Sequence, residues 1–150
     1  MFKTEPGEFS IDDLARASQE FTVWQGIRNY QARNLLRDEV KKNDRVLIYH
    51  SSCKDVGVAG SGKIVRAAYP DPFQFNRKSK YFDAKSSVDQ PRWVAVDVAF
   101  ETKFEQVVSL RTLKQTAALQ DMVLLKQGRL SVQPVRPAEF RQILQMAAAG

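Results

Sequence analysis

Between Arg45 and Val108 the chain offers extended segments and one long loop, with no helical period, and this block limits the fold more than any other feature. "RVLIYH", Arg45 to His50, is a short continuous apolar run of the kind that forms a buried strand. "GVAGSGKIVRAAY", Gly57 to Tyr69, reads as a longer strand whose glycines permit a bulge or a close backbone approach. "RWVAVDVAF" alternates, with Val94, Val96, Val98 and Phe100 on one face and Trp93, Ala95, Asp97 and Ala99 on the other. A separate strand is predicted near Phe104 to Val108.

Helical signals are confined to the two ends. Ser10 and Asp13 resemble a capping box opening a helix from Ile11 to about Ala17. A second helix is predicted from Asn29 or Tyr30 to Glu39, with Ala32, Leu35 and Leu36 on one face. Ser109 reads as the cap of a helix through Ala117, Met122 to Leu125 as a short helix or turn, and Pro137 as the first turn of a helix ending near Ala148. "LSVQPV" gives a last short strand. Strands in the middle and helices at both ends predict an α+β fold, a small barrel-like or curved sheet flanked by helices, in one domain over residues 1–150. The βαβ rhythm of a doubly wound sheet is missing. "GSGK" at Gly60 has neither the spacing nor the following helix of a phosphate loop.

Several functions are disfavoured at this point. No apolar run approaches the roughly 18 residues of a membrane span, so no membrane partner is expected. "MFKTEPGEFSIDD" lacks the apolar stretch of a signal peptide. One cysteine, Cys53, suits a reducing compartment, predicting a cytoplasmic protein, nucleoid-associated in a bacterium or nuclear in a eukaryote. With a single histidine, His50, a metal site is not expected, and no cofactor motif is present. His50 and Cys53 are close in sequence, but a turn separates them and nothing aims one at the other, so catalysis is not expected.

The charge balance is positive, with 23 basic and 17 acidic residues, a net +6 and a pI near 9.6. Such a surface favours a polyanion, because neutralising phosphates releases counterions. Two readings of "WQGIRNYQAR", Trp24 to Arg33, stand side by side. In one, Trp24 is core, Asn29 caps a helix and the arginines are solvated. In the other, Gly26 bends the backbone, and Arg28, Asn29 and Arg33 gather anions at a helix start. Tyr49-His50-Ser51-Ser52 at a strand end is either a polar turn or a set of donors for a base edge. Trp24 and Trp93, each beside polar donors, have the character of a ring sandwich, where stacking contributes about 1–3 kcal/mol per base. The loop "PDPFQFNRKSKYFDAKSSVDQP" mixes aromatics with Arg77, Lys78 and Lys80, and loops this long are functional or disordered.

"FKTEPGEFSIDDL", "WQGIRNYQARNLLRD", "DRVLIYHSSCKDVGVAG", "AYPDP", "PRWVAVDVAF" and "LLKQGRLSVQPV", in that order along the whole chain, resemble the EVE domain family. The resemblance implies a PUA-like fold, similar to that of the YTH readers of N6-methyladenosine. It also implies a pocket for a flipped, modified nucleobase, in this family a cytosine derivative in DNA. A non-catalytic nucleic-acid-binding module follows. The alternative is an RNA-binding accessory domain for RNA processing or modification, as other PUA-like domains are.

Carried onto this chain, the resemblance makes Trp24 an aromatic wall, so that Trp24→Ala is expected to remove base preference and leave the fold intact. Lys3 and Thr4 line the pocket, Asn29, Tyr30 and Gln31 lie at its edge, and His50, Ser51 and Ser52 supply polar contacts. Arg92 and Trp93 stand near the entrance. Arg28, Arg33, Arg77, Lys78 and Lys80 hold phosphates. The chain departs from the family pattern at three points. Only Met1-Phe2 precedes the Lys3-Thr4-Glu5-Pro6 motif, where members usually have several apolar and aromatic residues of a first strand, so a short or truncated first strand with a bare sheet edge is expected. Gly7 stands where an acidic residue is common, and Ser52 where asparagine is common.

Overall fold

A computed structural model describes residues 1–17 and 20–149, and it is α+β. Its centre is an antiparallel meander of β3 (Arg45–His50), β4 (Gly57–Pro70) and β5 (Val94–Ser109). Two short strands complete the sheet: β1 (Phe2–Thr4) joins β3 in parallel, and β2 (Thr22–Trp24) joins β5 antiparallel. The order is therefore β1-β3-β4-β5-β2. Helices α1 (Ile11–Ala15), α2 (Tyr30–Asp38), α3 (Leu110–Gln115), α4 (Val123–Lys126) and α5 (Pro137–Ala149) pack around it. No helix among the described residues is long and apolar enough to cross a membrane.

"RVLIYH" is apolar without alternation because β3 is buried on both faces. Val46 and Ile48 enter one apolar cluster with Phe2, Leu14, Trp24, Leu36 and Val98. Leu47 and Tyr49 point the other way, into a second cluster with Phe104, Leu113, Leu119 and Ile143. The register of β4 slips at four places along β5, which lets the pair coil instead of lying flat. Gly60 sits in this stretch, where an added Cβ would collide with the Thr102 carbonyl. The coiling brings the outer strands together. The rings of Phe2 on β1 and Trp24 on β2 lie 5.4 Å apart. The sheet is thus curved but not closed, its two edges meeting through side chains.

Four expectations need correction. The strands predicted over Arg92–Phe100 and Phe104–Val108 are one strand of 16 residues, β5. The charged "ETK" between them reads as a break, but its charges are satisfied from neighbouring elements. Glu101 accepts from Arg45 Nε at 2.9 Å and Ser61 Oγ at 2.9 Å, and Lys103 pairs with Asp12 at 2.8 Å. "LSVQPV" contributes only the bridge Val132 to Phe2, since Pro134 brings no N–H to extend the ladder. Short as it is, β1 does not leave a bare edge: Lys3 N–H donates to the Ser131 carbonyl and Gln133 N–H to the Met1 carbonyl, both at 2.9 Å. The helix predicted through Ala117 ends at Gln115, and that through Ala17 at Ala15. The Ser10–Asp13 capping box is present as expected.

Candidate functional site

A cleft of about 940 Å³ opens where the two sheet edges converge. Lys3 to Thr4 of β1, Phe9, the β2 segment through Ile27, Ser51 and Ser52 after β3, and Lys80 and Tyr81 of the long loop surround it. Trp24 forms part of its lining while only 6% exposed. One side of its indole packs against Phe2, and Phe9 meets it edge-on at 5.8 Å and 88°. Trp24 is thus a core residue that also contributes to the cleft lining.

The turn after Trp24 explains the glycine. Gly26 has φ 80°, and a Cβ there would come within 2.6 Å of the Tyr81 ring. Its N–H donates to Asp71 Oδ2 at 3.0 Å, and Arg28 Nη1 donates to the same oxygen at 3.0 Å. Arg28 also grips the Tyr81 carbonyl through Nε at 3.2 Å and Nη2 at 2.8 Å. The Asp71 side chain is fully buried, and its other oxygen accepts from Phe73 N–H at 2.8 Å. Arg28 was expected on a phosphate; its charge is instead answered by Asp71, where it clamps the long loop beside the cleft.

Polar groups rim the opening. Thr4 Oγ1 donates to the Phe9 carbonyl at 2.8 Å, and the Thr4 carbonyl accepts from Ser51 N–H at 2.9 Å. Lys3 Nζ donates to the Gly128 carbonyl and lies 5.1 Å from the Tyr49 ring centre, and partial burial holds its pKa below the usual lysine value. Lys80 spans the mouth to Glu8 at 3.2 Å, a contact that raises its pKa. Arg77 and Lys78 are exposed and form no salt bridge among the described residues. Ser52 has φ 53°, the left-handed region that asparagine enters more readily than serine. Gly7 stands in open space, where a side chain meets nothing.

The remaining predicted residues lie outside the cleft lining. His50 is buried, and its Nε2 accepts from Ile11 N–H at 3.1 Å, holding α1 to the sheet. Burial lowers its pKa, with the Asp12 charge acting against that shift and Lys103 adding to it. Among the described residues no hydrogen bond joins His50 to Cys53. Asn29 caps α2, its Oδ1 accepting from Ala32 N–H at 3.0 Å, and Gln31 donates to Gln127 Oε1 at 3.0 Å. Trp93 is as buried as Trp24, but it backs the half-exposed Tyr30, stacked at 4.9 Å and 27°. Its Nε1 donates to Asp83 Oδ2 at 2.7 Å, which holds that carboxyl below the usual range. Arg33 lies over Tyr30 at 4.7 Å and donates to the Arg92 carbonyl at 3.0 Å.

Sequence reasoning passed over Phe9, Tyr81, Asp71 and Gln74. Asp71-Pro72 carries a legible signal, an acidic cap with proline in the first turn. Gln74 carries none; wholly buried, it accepts from Trp93 N–H at 3.0 Å and donates to the Trp93 and Asp71 carbonyls, tying the loop to β5. The result is a preformed cleft with an indole in its lining and a polar rim whose hydroxyl and ammonium groups are held in place by partners within the fold.

Comparisons with known proteins agree with this architecture. The sequence profile of the EVE domain matches residues 1–146. Human thymocyte nuclear protein 1 is 40% identical over 147 residues, covering 93% of this chain and 65% of that protein, so the chain spans under two thirds of its relative's length. The structure of a hypothetical protein from Leishmania major superposes with a TM-score of 0.93 at 44% identity, covering 99% of this chain and 92% of that one. The structure of human THYN1 protein in complex with 5-methylcytosine-containing DNA superposes with a TM-score of 0.91 at 38% identity, covering 97% and 95%. On these grounds the chain belongs to the EVE domain family.

Proposed function

We propose that this protein is a non-catalytic reader of modified cytosine in DNA, taking the flipped base into the cleft lined by Trp24. The observation that carries the reading is its likeness, over nearly its whole length, to the human protein solved with 5-methylcytosine-containing DNA. The cleft supports it, with an aromatic surface at one side and hydroxyl, amide and ammonium groups at the rim, and the chain as a whole carries a net charge of +6. In this reading phosphate contacts give most of the affinity, and the cleft gives the choice of base. Lys3, Thr4, Trp24, Ser51 and Ser52 surround the base. Arg77, Lys78 and Lys80 face the backbone, with Lys80 leaving Glu8 to do so. Asn29 and Gln31 shape α2, and His50 fixes α1, so these act on the cleft through their neighbours. Such a reader works at the nucleoid or in the nucleus.

The test is binding, at one fixed salt concentration, to duplexes of a single sequence carrying cytosine, 5-methylcytosine or N6-methyladenine, with an RNA of the same sequence alongside. A preference for the modified-cytosine duplex is expected. Equal affinity across all duplexes would overturn the reading, and tighter binding to the RNA would favour an RNA-processing role.

A further inference from the structure

A stack of alternating rings and guanidiniums leads from the cleft to the outer face of α2. Tyr81 lines the cleft; Arg28 lies 5.4 Å from its ring and 5.5 Å from that of Trp93. Trp93 carries Tyr30 at 4.9 Å, and Arg33 covers Tyr30 at 4.7 Å. The inner and outer arginines face different chemistry. Arg28 is neutralised by Asp71 at 3.0 Å. Arg33 bonds only neutral oxygens, Asn34 Oδ1 at 2.8 Å and the Arg92 carbonyl at 3.0 Å, while the Arg92 guanidinium reaches the Tyr30 hydroxyl at 3.5 Å. Neither Arg33 nor Arg92 forms a salt bridge among the described residues.

A guanidinium held by neutral acceptors, with no direct ion pair, stays available to an outside anion, even though the Asp38 charge is felt by Arg33 and the Asp83 charge by Arg92. It also loses little rotamer freedom on meeting one. The ring beneath it is itself fixed, because Trp93 is anchored by Asp83 and Gln74. Arg33 over the Tyr30 ring and Arg92 at its hydroxyl put two cations around one tyrosine, an arrangement that matches adjacent phosphates better than the isolated carboxylates of a protein surface. We propose that Arg33 and Arg92, set on the Tyr30–Trp93 plate, form a phosphate clamp for the DNA strand flanking the base held in the cleft. The clamp rests on the DNA reading above, but it lies outside the cleft and does not choose the base.

The two roles separate in one experiment. Fluorescence anisotropy follows binding to a duplex with one central 5-methylcytosine and to its unmodified twin, between roughly 50 and 200 mM salt. Replacing both residues, Arg33→Ala with Arg92→Ala, is expected to weaken both complexes about tenfold or more. It should also flatten the slope of log affinity against log salt by about 2, one for each lost contact. The ratio between the two duplexes should stay as in the wild type. Arg33→Lys with Arg92→Lys should keep most of the slope. Arg33→Gln with Arg92→Gln removes the charge while leaving amide donors, and it reads the same slope if the alanine pair fails to fold. An unchanged slope overturns the clamp. So does a lost ratio with the slope intact, which would move these residues into base recognition. A wild-type protein that binds both duplexes equally overturns the reader, and the slope still decides the clamp.

Discussion

The two tryptophans present the same signature in sequence and end in opposite situations. Each is 6% exposed and stands beside polar donors. Trp24 has apolar rings, Phe2 and Phe9, on its buried sides and leaves its remaining surface to the cleft. Trp93 is covered by Tyr30, flanked by Arg28 and bonded through Nε1 to Asp83. Exposure alone does not separate a binding surface from a support. What separates them is the partner on the open side: empty space over Trp24, a tyrosine and a guanidinium over Trp93. The same contrast sorts the arginines, since Arg28 meets a buried carboxylate and Arg33 meets only neutral oxygens.

Substitutions can break this comparison. Trp24→Ala should cost about 4 kcal/mol by leaving a large cavity in the main core, which replaces the expectation that the fold survives it. Chemical denaturation measures the loss. Trp24→Phe should keep the fold and weaken modified-base preference, whereas Trp93→Phe should keep the preference while losing the Asp83 bond. If both phenylalanine variants behave alike in binding, the distinction between surface and support fails.

Asp71→Ala should cost about 3 kcal/mol, because Arg28 is left partly buried without its counter-charge and the Gly26 and Phe73 amides lose their acceptor. Denaturation midpoints near wild type would show that the clamp on the long loop is dispensable. Gly26→Ala should cost about 2 kcal/mol, from a side chain placed at φ 80° against Tyr81. It should also shift Tyr81 and lower affinity for the modified duplex, measured by the same anisotropy titration.

Smaller effects sharpen the picture at the strand end. The His50 pKa is lowered on folding, so the unfolded chain takes up its proton first as pH falls. Its contribution is intact above the ordinary value of 6.5, is lost as pH falls below that value, and levels off below the folded pKa. Protonation also removes the acceptor for Ile11 N–H. Thermal melts between about pH 8 and pH 5 should show the decline, and His50→Gln should flatten it. Ser52→Asn should raise stability by a few tenths of a kcal/mol, since asparagine tolerates the left-handed backbone, and a lower melting temperature would contradict that account.

Much of the fold was legible along the chain. The Ser10 capping box, the Asn29 cap, the buried strand "RVLIYH" and the helix starting at Pro137 all follow from local chemistry, and all are present. Reading failed where charges are answered from far away: Glu101 and Lys103 lie within a continuous strand because Arg45, Ser61 and Asp12 reach them. The site divides in the same way. Trp24, Lys3, Thr4, Ser51 and Ser52 converge because three strand ends meet at one corner of the sheet. His50, Asn29 and Trp93 carry polar atoms that look available in sequence, but each is engaged by a partner elsewhere in the fold.

By itself the sequence determined the α+β class, the caps, the strand faces and the positive balance, because these depend on neighbours within a few residues or on simple sums. Tertiary structure alone decided which tryptophan faces open space and which arginine keeps its charge. Those outcomes rest on residues 43 positions away or more, Asp71 for Arg28, Tyr30 for Trp93 and Arg92 for Arg33. A coiled sheet brings them into contact, and no local pattern encodes that approach.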